Sequence, residues 1–134
     1  MIDTLTVRRL GANEACACVD ALADVLIDCV EGGASVSFMW PLSREKAQAF
    51  WRGVANGVAH GERALLIAED AAGAVLGTVQ LILSQPENQP HRADAAKMLV
   101  HRRARRQGLA QRLMAAVEET ARAEGKTVLV LDTV

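Results

Sequence analysis

Residues 101–110, His101-Arg102-Arg103-Ala104-Arg105-Arg106-Gln107-Gly108-Leu109-Ala110, place four arginines and a glycine where an apolar stretch ending at Val100 gives way to a helical pattern. A glycine-containing turn entering a helix aims several backbone N–H groups at one point. Those groups have no intrahelical partner, and the helix dipole adds positive potential there. A phosphate or pyrophosphate would satisfy both. Gly108 lets a ligand approach the backbone, Ala110 keeps the next turn slim, and the arginines supply charge and forked donors. Neither G-x-x-x-x-G-K-[ST] nor G-x-G-x-x-G occurs. What remains is R-x-x-G-x-A, read as Arg105, Gly108 and Ala110. That spacing alone also fits an exposed basic helix start. Its place between a strand and a helix, after a hairpin, favours the anion site.

Other reactive side chains offer less. Cys16, Cys18 and Cys29 lie close together with no His near them, so a zinc site lacks ligands and no metal is expected. They read as small apolar residues of a packed helix in a reducing, cytoplasmic setting. His60 and His91 read as surface loop residues, and His101 as either a phosphate contact or a solvated position. Trp40 and Trp51 suit a core or an interface. Ser35 and Ser37 have no His–Asp partners, which removes a serine nucleophile.

Charge supports a single anionic ligand. The net charge of -1 argues against a general nucleic-acid binder. Residues 101–112 nevertheless hold five arginines and His101 with no acid, while the other 122 residues carry ten Lys or Arg against sixteen Asp or Glu. A focused positive site on a mildly acidic body suits one small anion better than a long polyanion. The 134 residues, 51% hydrophobic and 23% charged, suit one domain over 1–134. No run approaches the roughly 18 apolar residues of a membrane span, and Met1 to Arg9 shows no basic leader before an apolar stretch. No membrane partner is expected.

The elements that must position the loop follow from periodicity. Leu5 and Val7 alternate with polar neighbours in a strand from Thr4 to Leu10, broken by Gly11. Asn13 suits an N-cap, with Glu14 in the first turn. Cys18, Val19, Leu22, Val25, Leu26, Cys29 and Val30 form one helical stripe, stopped at Gly32-Gly33. A loop runs through Met39, Trp40 and Pro41. Ser43 then caps a second helix with Ala47, Phe50, Trp51, Val54 and Val58 inward. Strands Leu65 to Ala68 and Val75 to Leu83 flank the turn Asp70-Ala71-Ala72-Gly73. Gly77 suggests a bulge or a close approach. Pro86 and Pro90 bound a polar loop. Ala93 to Val100 reads as a strand, and Gly108 opens a third helix with Leu109, Leu113, Ala116, Val117 and Ala121 on one face. Glu118 and Arg122 can pair across a turn. Gly125 ends this helix. Thr127 to Leu131 is a strand apolar enough to be buried on both faces. The order is β-α-α-β-β-β-α-β, an α+β arrangement.

With Arg105-Arg106-Gln107-Gly108-Leu109-Ala110 in a strand-to-helix turn, the chain resembles the GNAT superfamily of acyl-CoA-dependent N-acetyltransferases, whose signature is Q/R-x-x-G-x-G/A. The element order matches over the whole 134 residues. A closer likeness, to the tabtoxin-resistance acetyltransferases of plant-pathogenic pseudomonads, rests on Val30-Glu31-Gly32-Gly33-Ala34-Ser35-Val36-Ser37-Phe38-Met39, on Lys97-Met98-Leu99-Val100 and on Leu131-Asp132-Thr133. The resemblance implies a GNAT-like fold, a mostly antiparallel sheet flanked by helices. It implies acetyl-CoA as co-substrate and a small-molecule amine as acceptor. The coenzyme pyrophosphate would meet the amides of Arg105, Arg106, Gln107, Gly108, Leu109 and Ala110. Its pantetheine arm would pair with Met98, Leu99 and Val100, and a backbone N–H of Leu99 or Val100 would polarise the acetyl carbonyl.

Many family members carry a catalytic Glu at the spacing that Asp94 has here, so Asp94 is read either as the catalytic proton acceptor, through a bridging water because Asp is short, or as a plain substrate-binding or solvated acid. Strand alternation would put Asp94 on one face with Ala96, Met98 and Val100. A departure stands beside this. The family continues past its fifth strand with a helix and two further strands, often carrying a tyrosine that protonates the leaving thiolate. This sequence shows neither and has no Tyr. A shortened domain is expected, with a second copy covering the last strand as a homodimer. Two alternatives remain: a weakly active or inactive acyl-CoA-binding remnant, and a nucleic-acid-binding module using the arginine cluster.

Overall fold

A computed structural model of the chain describes residues 5–32, 42–85 and 90–131. Expectations for Gly33, Ser35, Ser37, Met39, Trp40, Pro41, Pro86, Asp132 and Thr133 lie outside those residues. Five strands form one sheet in the order β1-β2-β3-β4-β5. Strands β1 (Thr6–Leu10), β2 (Arg63–Glu69), β3 (Val75–Ile82) and β4 (Arg92–Val100) pair antiparallel, and β5 (Val128–Leu131) lies parallel to β4. The parallel pair requires a crossover, supplied by α4 (Leu109–Ala123). Helices α1 (Ala12–Ala17), α2 (Val19–Glu31) and α3 (Arg44–Ala59) connect β1 to β2.

The expected first helix is two. At Cys18 (φ −95°, ψ 4°) the N–H is shared between the Glu14 and Ala15 carbonyls at 3.0 and 3.2 Å, and the helix restarts when the Leu22 N–H bonds the Cys18 carbonyl. The apolar stripe crosses this break, so periodicity alone does not reveal it. The N-cap is Gly11 rather than Asn13; the Glu14 carboxylate accepts the Gly11 N–H at 3.0 Å. Ser43 caps α3 as expected, its Oγ accepting the Lys46 N–H at 3.2 Å. Asp70 closes the β2–β3 turn, accepting the N–H groups of Ala72 and Ala74 at 3.0 and 2.9 Å. Glu118 and Arg122 are exposed and form no ion pair.

The sheet is covered on both sides. Helices α1 to α3 pack Leu22, Leu26, Trp51 and Val54 onto Leu10, Leu65, Ile67 and Leu99. Helix α4 packs Leu109, Leu113 and Val117 onto Leu66, Val79, Leu81 and Ala93. Each such leucine contributes about 1.5–3 kcal/mol by burial. Of the cysteines, only Cys29 is buried; Cys18 is half-buried and Cys16 exposed, against the expectation of three packed residues.

One irregularity in β4 organises the rest. Thr78 stands opposite Leu99, but Gln80 stands opposite Ala96, so Lys97 and Met98 together face Val79. This is a bulge, and Lys97 adopts φ 53°. An extra residue inverts the alternation that follows. Ala93 and Ala95 face α4, Met98 and Val100 face α4 as well, and Leu99 faces α2 and α3. Asp94 therefore shares a face with Ala96 and Leu99. The expected common face of Asp94 with Met98 and Val100 is not formed, because simple alternation stops at Lys97.

Strand β5 also departs from expectation. It is an edge strand, Val128 is 43% exposed, and Leu129 and Val130 are half-buried rather than enclosed on both faces. Its outer edge has no strand among the described residues, which is the geometry that pairing with a second copy would require.

Gly77 reports a close approach. A Cβ there would lie 3.2 Å from Leu109 Cδ2, Leu113 Cδ1 and the Leu99 carbonyl oxygen. The leucine tips can shift, but the β4 backbone is held by its ladder. Gly77→Ala should destabilise the protein by about 1–3 kcal/mol and lower Tm by several degrees in a thermal melt. An unchanged Tm would contradict this contact between β3, β4 and α4.

Candidate functional site

The turn from β4 to α4 is built by two left-handed residues. After His101 the chain makes a short 3-10 turn, Arg102–Ala104, anchored by Ala104 at 1% exposure. Arg105 is extended (φ −71°, ψ 156°), Arg106 has φ 64° and Gly108 has φ 73°. A side chain rarely tolerates this region, and Gly108 meets no steric penalty in it. The first helical bond runs from the Arg112 N–H to the Gly108 carbonyl at 3.2 Å. The N–H groups of Leu109, Ala110 and Gln111 therefore precede the ladder and point out of the positive end of α4. Leu109 is buried and fixes the helix to the sheet, while Arg106, Gln107, Gly108, Ala110 and Gln111 are exposed. Gln107 donates to the Arg103 carbonyl at 3.4 Å.

The C-terminal end of α2 holds this turn in place. Asp28 accepts the Arg102 N–H at 2.8 Å and the Arg102 Nε at 3.0 Å, with His101 Nε2 at 3.5 Å. Burial pushes the Asp28 carboxyl up. The Arg102 N–H and guanidinium and the nearby His101 outweigh it and hold that carboxyl below its ordinary value. Next along, the Cys29 thiol donates to the Val100 carbonyl at 3.5 Å. Burial raises this thiol, and Arg105 opposes it only in part, so Cys29 serves as a neutral donor rather than a nucleophile.

The arginine cluster is less open than its sequence suggests. Arg102 pairs with Asp28 and reaches Glu31 at 3.8 Å. Arg105 Nε donates to the Val100 carbonyl at 3.3 Å, and Arg112 donates to the Leu5 carbonyl at 2.9 Å. Arg103 and Arg106 are exposed with no such bond from their side chains. A contiguous basic stripe of the kind that tracks a nucleic-acid backbone is absent from this loop. Backbone amides, with two arginines beside them, are what the turn offers an anion.

Asp94 lies toward the opposite end of β4. Arg92 grips it with two bonds, Nε to Oδ1 at 2.8 Å and Nη2 to Oδ2 at 3.2 Å. Each carboxylate oxygen keeps a lone pair for a further donor such as water. Pairing of β4 with β5 ends at Ala95 opposite Leu131. From Ala96 through Met98, Leu99 and Val100, β4 meets no further strand on that side among the described residues. The chain thus holds three features: an acid on the α1–α3 face, a strand stretch with an edge unpaired among the described residues, and a set of amides at the start of α4. Sequence reasoning missed Asp28, Lys97, Arg63 and Gln80. Only Gln80 left a signal, a polar residue inside the apolar run of β3.

Of two clefts, the first lies apart from these features and the second lies against the turn, with Asp28 and His101 in its wall. One, of about 630 Å³, lies between α1 and α3 and includes Asn13, Cys16 and Arg52; the other, of about 440 Å³, lies beside α2 and includes Asp24, Glu31 and Arg103. The first contains no residue of the turn or of β4 and is not where the unpartnered amides lie. Among the described residues there is no cluster of three or more His, Cys, Asp or Glu suited to a metal, and no helix long and apolar enough to cross a membrane.

Comparison with known proteins accords with this geometry. The family model for the acetyltransferase (GNAT) family matches residues 19–134. An uncharacterized N-acetyltransferase of Azospirillum brasilense, from a hisH–hisA intergenic region, is 37% identical over 113 residues, covering 83% of this chain and 65% of that protein. The chain thus spans less than two thirds of the length of this curated relative. A GCN5-related N-acetyltransferase from Kribbella flavida superposes with a TM-score of 0.74 at 24% identity, over 96% of this chain and 71% of that one. An aminoglycoside acetyltransferase from an uncultured soil metagenomic sample, in complex with sisomicin, superposes at 0.73 with 14% identity, over 99% and 80%. At these identities the structural likeness shows the fold.

The Asp28 clasp has a pH signature. A carboxyl with a depressed folded value contributes stability above its unfolded value, and loses it as pH falls through the folded one. Asp28→Asn should lower Tm at neutral pH, and the gap to the parent should close on acidification below the ordinary carboxylate range. A Tm gap independent of pH would contradict the ionic role.

Proposed function

The chain belongs to the acetyltransferase (GNAT) family, and on that premise we propose that it transfers an acetyl group from acetyl-CoA to the amine of a small molecule. The observation that carries this reading is the set of amides ahead of the α4 ladder, reached through the left-handed Arg106 and Gly108. A pyrophosphate seated there meets N–H groups that otherwise lack partners. From that anchor the pantetheine arm runs along the open edge of Met98, Leu99 and Val100 as an added strand, its amides pairing with backbone.

The chemistry follows from placement. The thioester carbonyl lies by the bulge, where the N–H of Leu99 or Val100 stabilises developing negative charge. The amine nitrogen attacks the carbonyl carbon, the carbon–sulfur bond breaks, and coenzyme A leaves as thiolate. Asp94, oriented by Arg92, holds the water that takes the ammonium proton. No acyl-enzyme forms, and the gain comes from positioning and polarisation. The likeness to tabtoxin-resistance acetyltransferases supports a small toxin or antibiotic amine as acceptor.

Calorimetry with acetyl-CoA, followed by thiol release over a panel of amines, tests the reading. Binding without turnover would leave an acyl-CoA-binding protein, and absence of binding would overturn the proposal. Gly108→Val forces a β-branched residue to φ 73° and fills the approach to the amides. It should weaken coenzyme A binding about tenfold or more, whereas Arg44→Ala, at the start of α3 and paired with Asp24, should have little effect. Equal losses would contradict the placement.

Asp94→Asn should lower kcat at nearly constant coenzyme affinity and remove the acidic limb of the pH–rate profile. An unchanged rate and profile would reduce Asp94 to a structural partner of Arg92.

A further inference from the structure

The α1–α3 face of the sheet buries a polar pair that the transfer chemistry does not use. Gln80 is 1% exposed, and its Oε1 accepts from Arg63 Nη1 at 2.7 Å. Its Nε2 is buried without a hydrogen-bond partner, and so is Nε of Arg63. Arg63 lies beneath α3 where that helix has a glycine; a Cβ on Gly57 would stand 2.8 Å from Arg63 Nε. Among the described residues no carboxylate reaches Arg63. A half-buried guanidinium without a counter-charge among the described residues, with one of its own donors and one of Gln80 unpaired, is a costly arrangement. Such exceptions in a folded protein call for an explanation, and Trp51 Nε1 is a third on this face.

The place of the pair points to one. Arg63 stands opposite Ile82, which stands opposite Asp94; Gln80 stands opposite Ala96. All lie on the face away from α4. Arg63 is thus about 10 Å, two strand spacings, from the strand that carries Asp94, and Gln80 adjoins the first β4 residue beyond the β5 pairing. The anionic part of the coenzyme is assigned to the α4 end, on the other side of the sheet. The acid nearest in register, Asp94, is already gripped by Arg92. Among the described residues Arg63 is a charge without an ion pair on the face that carries Asp94. Arg63 is half-buried, its Nε enclosed and its Nη1 bonded to Gln80, so Nη2 is the guanidinium nitrogen left for an anion, and Gln80 orients the fork.

Building on the acetyl-transfer reading, we propose that Arg63 and Gln80 form an acceptor subsite for a carboxylate, so that the preferred substrates are amines carrying an acid group several bonds away. A polycationic amine meets an uncompensated positive charge there and is disfavoured.

The test uses matched pairs that differ only in the acid: aminohexanoate against aminohexanamide, and lysine against lysinamide, with spermidine as the polycation. The amide KM should exceed the acid KM about tenfold, the scale of a charge-assisted hydrogen bond. Arg63→Met should bring the ratio close to one, and Arg63→Lys should restore part of it. Equal KM values for acid and amide in the parent protein would overturn the subsite while leaving acetyl transfer standing; this arm needs no variant to fold. If no amine is turned over, the transfer reading fails, and calorimetric titration of aminohexanoate and of inorganic phosphate into the coenzyme-A-saturated protein decides the subsite alone. Binding of aminohexanoate that Arg63→Met abolishes supports it. Binding of phosphate only, or aminohexanoate binding indifferent to the variant, overturns it.

Discussion

An amide N–H at the start of a helix has no carbonyl within the helix to bond, and that deficit shapes this protein. The β4–α4 turn does not cap the deficit. Gly108 has no side chain to fold back, and the neighbouring Ala110 cannot reach the amides either. Gln107, which could supply a carbonyl, turns its amide nitrogen to the Arg103 carbonyl instead. The open amides persist because the turn is held from outside. Asp28 and Cys29 at the end of α2 fasten Arg102 and Val100, so the loop keeps its left-handed geometry without an internal cap. Pre-organisation of this kind lowers the ordering cost of binding an anion.

The bulge at Lys97 divides the residues of β4 between the two faces of the sheet. An unbroken β4 would send Asp94, Met98 and Val100 to the same side. The inserted residue separates them: the strand presents Asp94 and Ala96 toward α1–α3, and Met98 and Val100 toward α4. On the proposed reading, a coenzyme running along Met98 to Val100 would be held by one face and approached by the amine from the other. The same split isolates Arg63 and Gln80 with the acceptor side, away from the arginines of the turn.

Much of this was legible in residue order. Ser43, Asp70, Gly73 and Gly108 each have one local conformation that suits their chemistry, and each adopts it. The stripes of α2, α3 and α4 follow from helical period, and R-x-x-G-x-A marks the left-handed turn that opens α4. What periodicity could not show depends on partners distant in sequence. The Asp28–Arg102 clasp joins residues 74 apart. The break at Cys18 leaves the apolar stripe intact, and the bulge at Lys97 arises from strand register rather than from any signature in Ala95-Ala96-Lys97-Met98. The arginine cluster misled in the same way: five adjacent charges look like one patch until tertiary contacts with Asp28, Val100 and Leu5 divide them.

The central claim is that backbone amides of the β4–α4 turn bind the coenzyme pyrophosphate. Amide-resolved NMR during titration with coenzyme A tests it most directly. The account predicts the largest shifts at the N–H groups of Arg106 to Gln111, with smaller ones along Met98 to Val100. Shifts concentrated instead at Asn13, Cys16 and Arg52, around the cleft between α1 and α3, would contradict it.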